Sequence, residues 1–352
     1  MSKGSGRIKS GGITIKEVAE AAGVSVATIS RAFKKPDHLT PATLKHVRAV
    51  ITEMGYVPNA QARNLRTART RLVIALVPDI SKAFFSAIIR GIEKVAYQNG
   101  YNVLLGDTQN DPVREQAYAQ LVAARQADGL ITLIPRKLDI DWPGRLPLVY
   151  ASSYVDDDAF TRVQVDNVAA ARDAISVLTA MGHRAIGLVN GNVQSPVFID
   201  RALGYRAGIE NAGIKQDENW IISSELSVEA GMSATEILLA RNPEISAVLC
   251  ANDETALGAV KAVREMGMRV PEDVSVIGFD DTPLVRYFEP PLTTIALPSM
   301  EMGEEAMRLL LEILSDSSTP TRRRVMSTQL IMRGSTAANN RNSSIIAEQY
   351  PL

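Results

Sequence analysis

The chain has one cysteine and three histidines in 352 residues. A single thiol, Cys250, cannot build a disulfide framework and fits a reducing compartment. It lies in the apolar string Ala247-Val248-Leu249-Cys250-Ala251, which reads as core rather than as a nucleophile. His38, His46 and His183 are scattered, so neither a metal centre with ligand spacing nor a credible nucleophile and histidine pair is expected. Also missing are the roughly 18 consecutive apolar residues of a membrane-spanning helix. Residues 1–12 hold Gly, Ser and Lys without the apolar stretch of a secretion signal. No glycine-rich phosphate loop follows a strand, because Gly4-Ser5-Gly6 falls in the polar leader. The expectation is a cytoplasmic protein that neither spans nor inserts into a membrane and carries no cofactor.

What is present is an ordinary globular composition, 46% apolar and 22% charged, on a chain too long for one compact domain. The net charge of -1 conceals an asymmetry. Residues 1–71 hold 13 Lys or Arg against 4 Asp or Glu, and the remainder holds 25 against 35. A basic head on an acidic body suits a phosphate backbone, whose counterions are released when Lys and Arg neutralise it. The head has no long apolar face to insert into a membrane surface.

Three short helices are legible in the head. Thr14-Ile15-Lys16-Glu17 has capping-box spacing, and Ile15, Val18, Ala19 and Ala22 fall on one face. Gly23 supplies a turn, Ser25 caps a second helix over 26–33, and Thr40-Pro41 starts a third that runs to about 54 with Leu44, Val47 and Ile51 inward. The second helix is expected to bury Ile29 and Phe33 and to expose Val26, Ala27, Thr28, Ser30 and Arg31. A glycine-containing turn between the first two helices makes a helix-turn-helix, whose second helix enters the major groove. Arg31 then reaches guanine or phosphate, Thr28 and Ser30 hydrogen-bond to either, and Val26 and Ala27 touch a thymine methyl. Thr14, Ser25 and His38 complete the DNA-facing set.

Ala22-Gly23-Val24-Ser25 with Thr28 and Ser30-Arg31 resembles the LacI/GalR family of bacterial repressors. The likeness continues in Gly55-Tyr56-Val57-Pro58-Asn59-Ala60-Gln61-Ala62-Arg63-Asn64-Leu65, which is similar to the family's hinge. The resemblance implies a short minor-groove helix that forms on operator DNA and opens the central base step with a leucine, here Leu65. Apolar wedges of this kind kink DNA, and Asn59 is a suitable helix cap. Ala62, Arg63 and Arg66 join the hinge contacts, and Arg63, Arg66, Arg69 and Arg71 are expected to hold phosphates.

Beyond residue 71, short apolar strands (72–77, 102–106, 129–134, 148–151, 185–189, 247–251 and 274–279) alternate with amphipathic helices (84–98, 112–126, 168–181, 199–212, 228–239, 253–266 and 300–314). This alternation implies parallel sheets covered by helices, with ligands beyond the carboxyl ends of the strands. The body resembles the family's effector domain, which is similar to periplasmic sugar-binding proteins: two lobes joined by three crossing strands. The resemblance implies effector contacts from Arg201, from Asn252 and Asp280 facing it, from Phe84 and Phe85 against a ring or sugar face, and from Ser152 and Phe198. Leu297, Leu226 and Ser152-Ser153 depart from common family residues, so no single member's effector is inherited. Val77-Pro78-Asp79-Ile80, residues 84–93, residues 290–296 and Arg333-Gly334-Ser335-Thr336 lean toward a nucleoside-responsive branch.

The expected fold class is therefore α/β: a helix-turn-helix head and hinge followed by a two-lobed, periplasmic-binding-protein-like domain. The expected boundaries are a disordered basic tail (1–12), the head (13–58), the hinge (59–71), the effector domain (72–336) and a disordered tail (337–352). Lobe 1 takes about 72–168 and 299–332, and lobe 2 about 169–298. The tail lacks leucine heptads, so a homodimer on a pseudo-palindromic operator is expected, with a sugar, nucleoside or purine effector. A co-regulator protein is compatible with this reading. Two rivals are an enzyme on a doubly wound sheet and a transporter-feeding solute-binding protein. The missing catalytic motifs count against the first, the basic head and missing leader against the second.

Overall fold

A computed structural model describes residues 13–57, 69–153, 155 and 157–339. The chain separates into two units, one ending at Arg69 and the other beginning at Thr70. The expected tail 1–12 and most of the expected hinge, including Asn59, Ala62, Arg63, Leu65 and Arg66, lie outside the described residues.

The first unit holds α1 (Ile15–Ala21), α2 (Val26–Lys34), a 3-10 turn (Pro36–His38) and α3 (Pro41–Glu53). Each helix starts on a hydroxyl that satisfies an otherwise unpaired amide of the first turn. Glu17 N donates to Thr14 Oγ1 at 3.3 Å while Thr14 N donates to the Glu17 carboxylate at 2.7 Å, which closes a capping box. Thr28 N donates to Ser25 Oγ and Thr43 N to Thr40 Oγ1, each at 3.2 Å. Gly23, at φ 61°, takes the left-handed conformation that turns the chain from α1 into α2. Val18, Ala19, Ala22, Ile29, Ala32, Val47 and Tyr56 form the core. Phe33 departs from its expected burial. Ile29 and Ala32 close the seam, and Phe33 stays 46% exposed on the flank, its ring 6.2 Å from that of Tyr56.

In the second unit the order is β1 (Leu72–Val77), α4 (Ala83–Gln98), β2 (Asn102–Asp107), α5 (Pro112–Ala123), β3 (Gly129–Thr132), β4 (Leu148–Ala151) and β5 (Thr161–Val165). Then come α6 (Asn167–Ala180), β6 (Ile186–Asn190), α7 (Pro196–Asn211), β7 (Ile221–Ser223), α8 (Val228–Arg241), β8 (Ala247–Cys250), α9 (Asp253–Glu265), β9 (Ser275–Asp280) and β10 (Thr293–Ala296). The chain closes with α10 (Ser299–Ser315), β11 (Arg323–Met326) and β12 (Gln329–Ile331). One sheet has the order β11-β5-β4-β3-β1-β2 and is parallel throughout. The other has the order β12-β10-β9-β8-β6-β7 and is parallel except where β12 pairs antiparallel with β10.

This topology positions the site. The chain leaves the first sheet at the carboxyl end of β5, leaves the second at the carboxyl end of β10, and leaves the first again at the carboxyl end of β11. All three crossings depart from carboxyl edges, so these edges of the two lobes face one another, where ligands of parallel sheets bind.

Three expected boundaries are corrected. Residues 329–331 belong to the second lobe rather than the first, because β12 pairs with β10 in the register Thr294↔Ile331. Residues 337–339 are not a disordered tail: Asn339 N donates to the Met181 carbonyl at 2.8 Å and Ala337 N to Ser275 Oγ at 3.1 Å. Residues 340–352 lie outside the described residues. Thr70 and Arg71 are joined to the body rather than to the hinge. Their amides donate to the Asp128 carboxylate at 2.7 and 3.1 Å, and the Arg71 guanidinium lies 5.0 Å from the centre of the Tyr101 ring.

Candidate functional site

In the head, α2 turns Val26, Ala27 and Arg31 to solvent and leaves Thr28 and Ser30 half-buried. Its last turn is basic, with Arg31 and Lys34, and the unpaired amides of its first turn add positive potential at the other end. Two members of the expected DNA-facing set carry helix caps: Thr14 and Ser25 commit an oxygen to the amide three residues on. Thr28 Oγ1 stands 2.9 Å from Ser25 Oγ, so the pair shares a hydroxyl bond at the start of the helix. His38 is exposed in the 3-10 turn. The arrangement presents small hydroxyl and methyl groups flanked by cations, which is the chemistry of base-edge and phosphate contact.

In the body, the second lobe gathers a polar cluster at its carboxyl edge. Arg201, in the first half of α7, is 6% exposed and lies flat on the Phe279 ring at 3.5 Å, with Phe198 at 5.5 Å. Its Nε donates to Asn167 Oδ1 at 3.0 Å and its Nη1 to the Ala251 carbonyl, bonds that leave Nη2 for a ligand. Burial pulls the guanidinium down to about 10, opposed by the charges of Asp280 and Asp253. It stays a cation at neutral pH, held rigid with Nη2 free to donate to a ligand oxygen.

Asp280 ends β9 at φ 114°, followed by Asp281 at φ 55°. Two successive L residues in this region store strain, and such strain gathers where function needs a fixed aim. The Asp280 side chain enters none of the hydrogen bonds described for this cluster. Burial raises its pKa well above the carboxylate range, with Arg201 opposing and the charges of Asp253 and Glu254 adding. A half-buried carboxylate in that condition gains from any ligand that brings hydroxyl or N–H donors.

Asn252 caps α9, accepting from Thr255 N at 2.9 Å, so its oxygen is committed and its amide nitrogen is left over. Asn190, at the end of β6, donates to the Phe198 carbonyl at 2.9 Å while its buried Oδ1 accepts nothing. Across the cleft, Phe84 and Phe85 open α4 edge to face at 5.3 Å, half-buried against the first-lobe core. Ser152 follows β4 at φ 68°, its amide donating to the Val163 carbonyl. The topology thus puts Phe84, Phe85 and Ser152 on one facing edge and Phe198, Arg201, Asn252 and Asp280 on the other.

Sequence reading alone passed over Asn167 and Phe279, and met Asp253 only as a polar residue beyond a strand end, without a role of its own. Asp253 accepts from Thr294 Oγ1 at 2.6 Å, Thr282 N at 2.7 Å and Thr282 Oγ1 at 2.9 Å. It therefore ties the start of α9 to crossover strand β10 and to the turn after Asp280. A Cβ at Gly278 would stand 2.5 Å from its Oδ1, so that glycine is required by this carboxylate. Asp253 was legible only as the neighbour of Asn252, since its partners lie 29 and 41 residues away. Cys250 is fully buried with its thiol pushed up by desolvation, which fits a core residue. Among the described residues no cluster of acidic, histidine or cysteine side chains could hold a metal, and no helix is long and apolar enough to cross a membrane.

Comparison with known proteins agrees with this geometry. The model of the lacI family of bacterial regulatory proteins matches residues 14–59, and that of the periplasmic binding protein-like domain matches residues 159–336. The HTH-type transcriptional repressor CytR of Escherichia coli (strain K12) is 39% identical over 329 residues, which cover 92% of this chain and 96% of that protein. A complex of the transcriptional regulator CelR with cellobiose superposes with a TM-score of 0.70 at 30% identity, covering 92% of this chain and 99% of CelR. The lac repressor dimer bound to operator and the anti-inducer ONPF gives a TM-score of 0.79 at 25% identity, covering 93% and 100%. The relatives are transcription regulators, not enzymes.

Proposed function

Since the chain belongs to the LacI family of DNA-binding transcription regulators, we propose that it acts as a homodimeric repressor whose operator affinity is set by a small ligand between the lobes. Two heads on a two-fold axis suit a pseudo-palindromic operator, and each α2 reads one half-site through Val26, Ala27, Thr28, Ser30 and Arg31. Asn59, Ala62, Arg63, Leu65 and Arg66 supply the minor-groove contact, with Leu65 as the wedge. A protein of this kind works where the chromosome is, in the cytoplasm.

The single observation that carries the ligand reading is the pairing of Arg201 with Asp280 at the carboxyl edge. One is buried yet keeps Nη2 available; the other is aimed by strain and has donors to gain. An uncharged polyhydroxylated ligand meets both demands, giving acceptors to the guanidinium and hydroxyls to the carboxylate, with Phe84, Phe85 or Phe198 covering its less polar face. A sugar or a nucleoside fits this description, and a purine would meet it with ring nitrogens and N–H groups in place of hydroxyls. The resemblance of residues 77–80, 84–93, 290–296 and 333–336 to a nucleoside-responsive branch favours a nucleoside. Ligand closure of the lobes would then shift the spacing of the paired hinges.

A thermal-shift panel of sugars, nucleosides and purines tests the reading, because a ligand that binds the native state raises its apparent stability. One class should raise the melting temperature, and the rise should vanish in Arg201→Ala while operator binding persists. Leu65→Ala should do the reverse. Parallel loss of both activities in each variant would refute the division of labour.

A further inference from the structure

Lys82 breaks a local rule. It occupies the N-cap of α4, a position that favours Ser, Thr, Asp or Asn because their oxygens accept from the first-turn amides. Lysine has no acceptor and makes no capping bond here, and its charge stands at the positive end of the helix dipole. A residue that violates two local preferences is expected to be held by something distant.

The distant partner is the other lobe. Lys82 Nζ donates to Glu254 Oε2 at 2.5 Å and to the Leu226 carbonyl at 3.1 Å. Lys82 belongs to the first lobe. Glu254 lies in the first turn of α9 and Leu226 just ahead of α8, both in the second. The loop that presents Lys82 is braced: Ser81 N and Oγ donate to Asp79 Oδ1 at 2.8 and 2.7 Å, and Ile80 N donates to Asp107 Oδ1 at 3.3 Å. The two charged side chains remain 28% and 31% exposed, as befits the mouth of a cleft rather than its floor. In sequence the pair sits two residues before Phe84 and one after Asp253, so approach of the two ligand-facing edges and formation of the ion pair are one movement.

We infer that Lys82 and Glu254 form a clasp across the cleft mouth that biases the two lobes toward closure and that a bound ligand must break to leave. The second half of this statement rests on the effector reading above; the first does not. Glu254 at the start of a helix is favoured with or without a partner, whereas Lys82 at an N-cap is explained only by the cross-lobe contact. A pair this exposed is screened by salt and shifts an opening equilibrium by a few-fold rather than locking it.

The test uses the full chain without ligand. Spin labels are placed at Val113→Cys on α5 and Val193→Cys beyond β6, positions that are 76% and 64% exposed on opposite lobes, while native Cys250 is too buried to react. Doubly labelled protein diluted with unlabelled protein is examined by pulsed electron resonance. Lys82→Met should raise the long-distance population about threefold, and high salt should move the unsubstituted clasp the same way. The charge swap Lys82→Glu with Glu254→Lys should restore the short distance. The clasp is overturned if Lys82→Met matches the unsubstituted distribution, or if it widens the distribution and the swap fails to restore it. A change in distance without any ligand-induced thermal shift would overturn the effector reading and leave the clasp standing.

Discussion

Asp253 accepts three hydrogen bonds on a carboxylate that is almost wholly buried, and burial pushes its pKa up to about 6 from an ordinary 3.8. A carboxyl whose pKa is higher folded than unfolded favours the native state when protonated. Its contribution is complete below the unfolded value and is lost as pH rises through the folded one. A shift of this size corresponds to roughly 3 kcal/mol. In urea unfolding, the stability of the unsubstituted chain relative to Asp253→Asn should therefore decline between about pH 4 and about pH 7 by up to that amount. A difference that stays constant with pH would remove Asp253 as the titrating group. The same residue marks the limit of what sequence reveals at this scale. Thr14, Ser25 and Thr40 were legible as caps because a cap and its amide are three residues apart. Arg201, Asn252 and Asp280 were legible through resemblance to a family, whereas Asp253 and Lys82 act through partners that only the folded chain brings near.

Helices α4 and α10 meet without side chains between them at one point. A Cβ on Gly91 would stand 2.0 Å from the Met300 carbonyl oxygen, and one on Gly303 would stand 2.0 Å from that of Ile88. The contact brings the first lobe's opening helix against the helix that returns from β10, which couples that crossover to α4 through direct backbone contact. Gly303→Ala forces the helices apart and should destabilise the second unit by about 3 kcal/mol, measured by chemical denaturation, while leaving the head's helices intact. A cost below about 0.5 kcal/mol would show that the pair can slide to make room. The helices of the body and most buried strands were readable from their apolar runs. Strands β5, β7, β10, β11 and β12 were not. β5 carries Arg162 and Gln164 buried within it, and β11 is largely exposed, so neither shows a continuous apolar run or a one-sided pattern.

At the scale of the whole molecule, a basic head and an acidic body divide the labour. The head is small, with a core of few large side chains and about five residues on α2 that are proposed to read DNA. The body, whose two carboxyl edges face each other, supplies the place where, in the proposed function, a ligand acts on the whole. The α/β alternation, the order of the units and the basic character of the head were written in composition and periodicity, and the two-lobed architecture was legible through resemblance to a family. The exchange of chain between lobes was not, because crossings are set by sheet pairing over long separations. Binding of the full chain to duplex DNA selected by the protein from a random pool, followed by fluorescence anisotropy as salt rises from about 50 to about 200 mM, tests the central claim most directly. The account predicts tight binding at the lowest salt that weakens linearly on logarithmic axes by roughly three to five orders of magnitude, as for six to ten neutralised phosphates. No binding at the lowest salt, or affinity that does not change with salt, would contradict it.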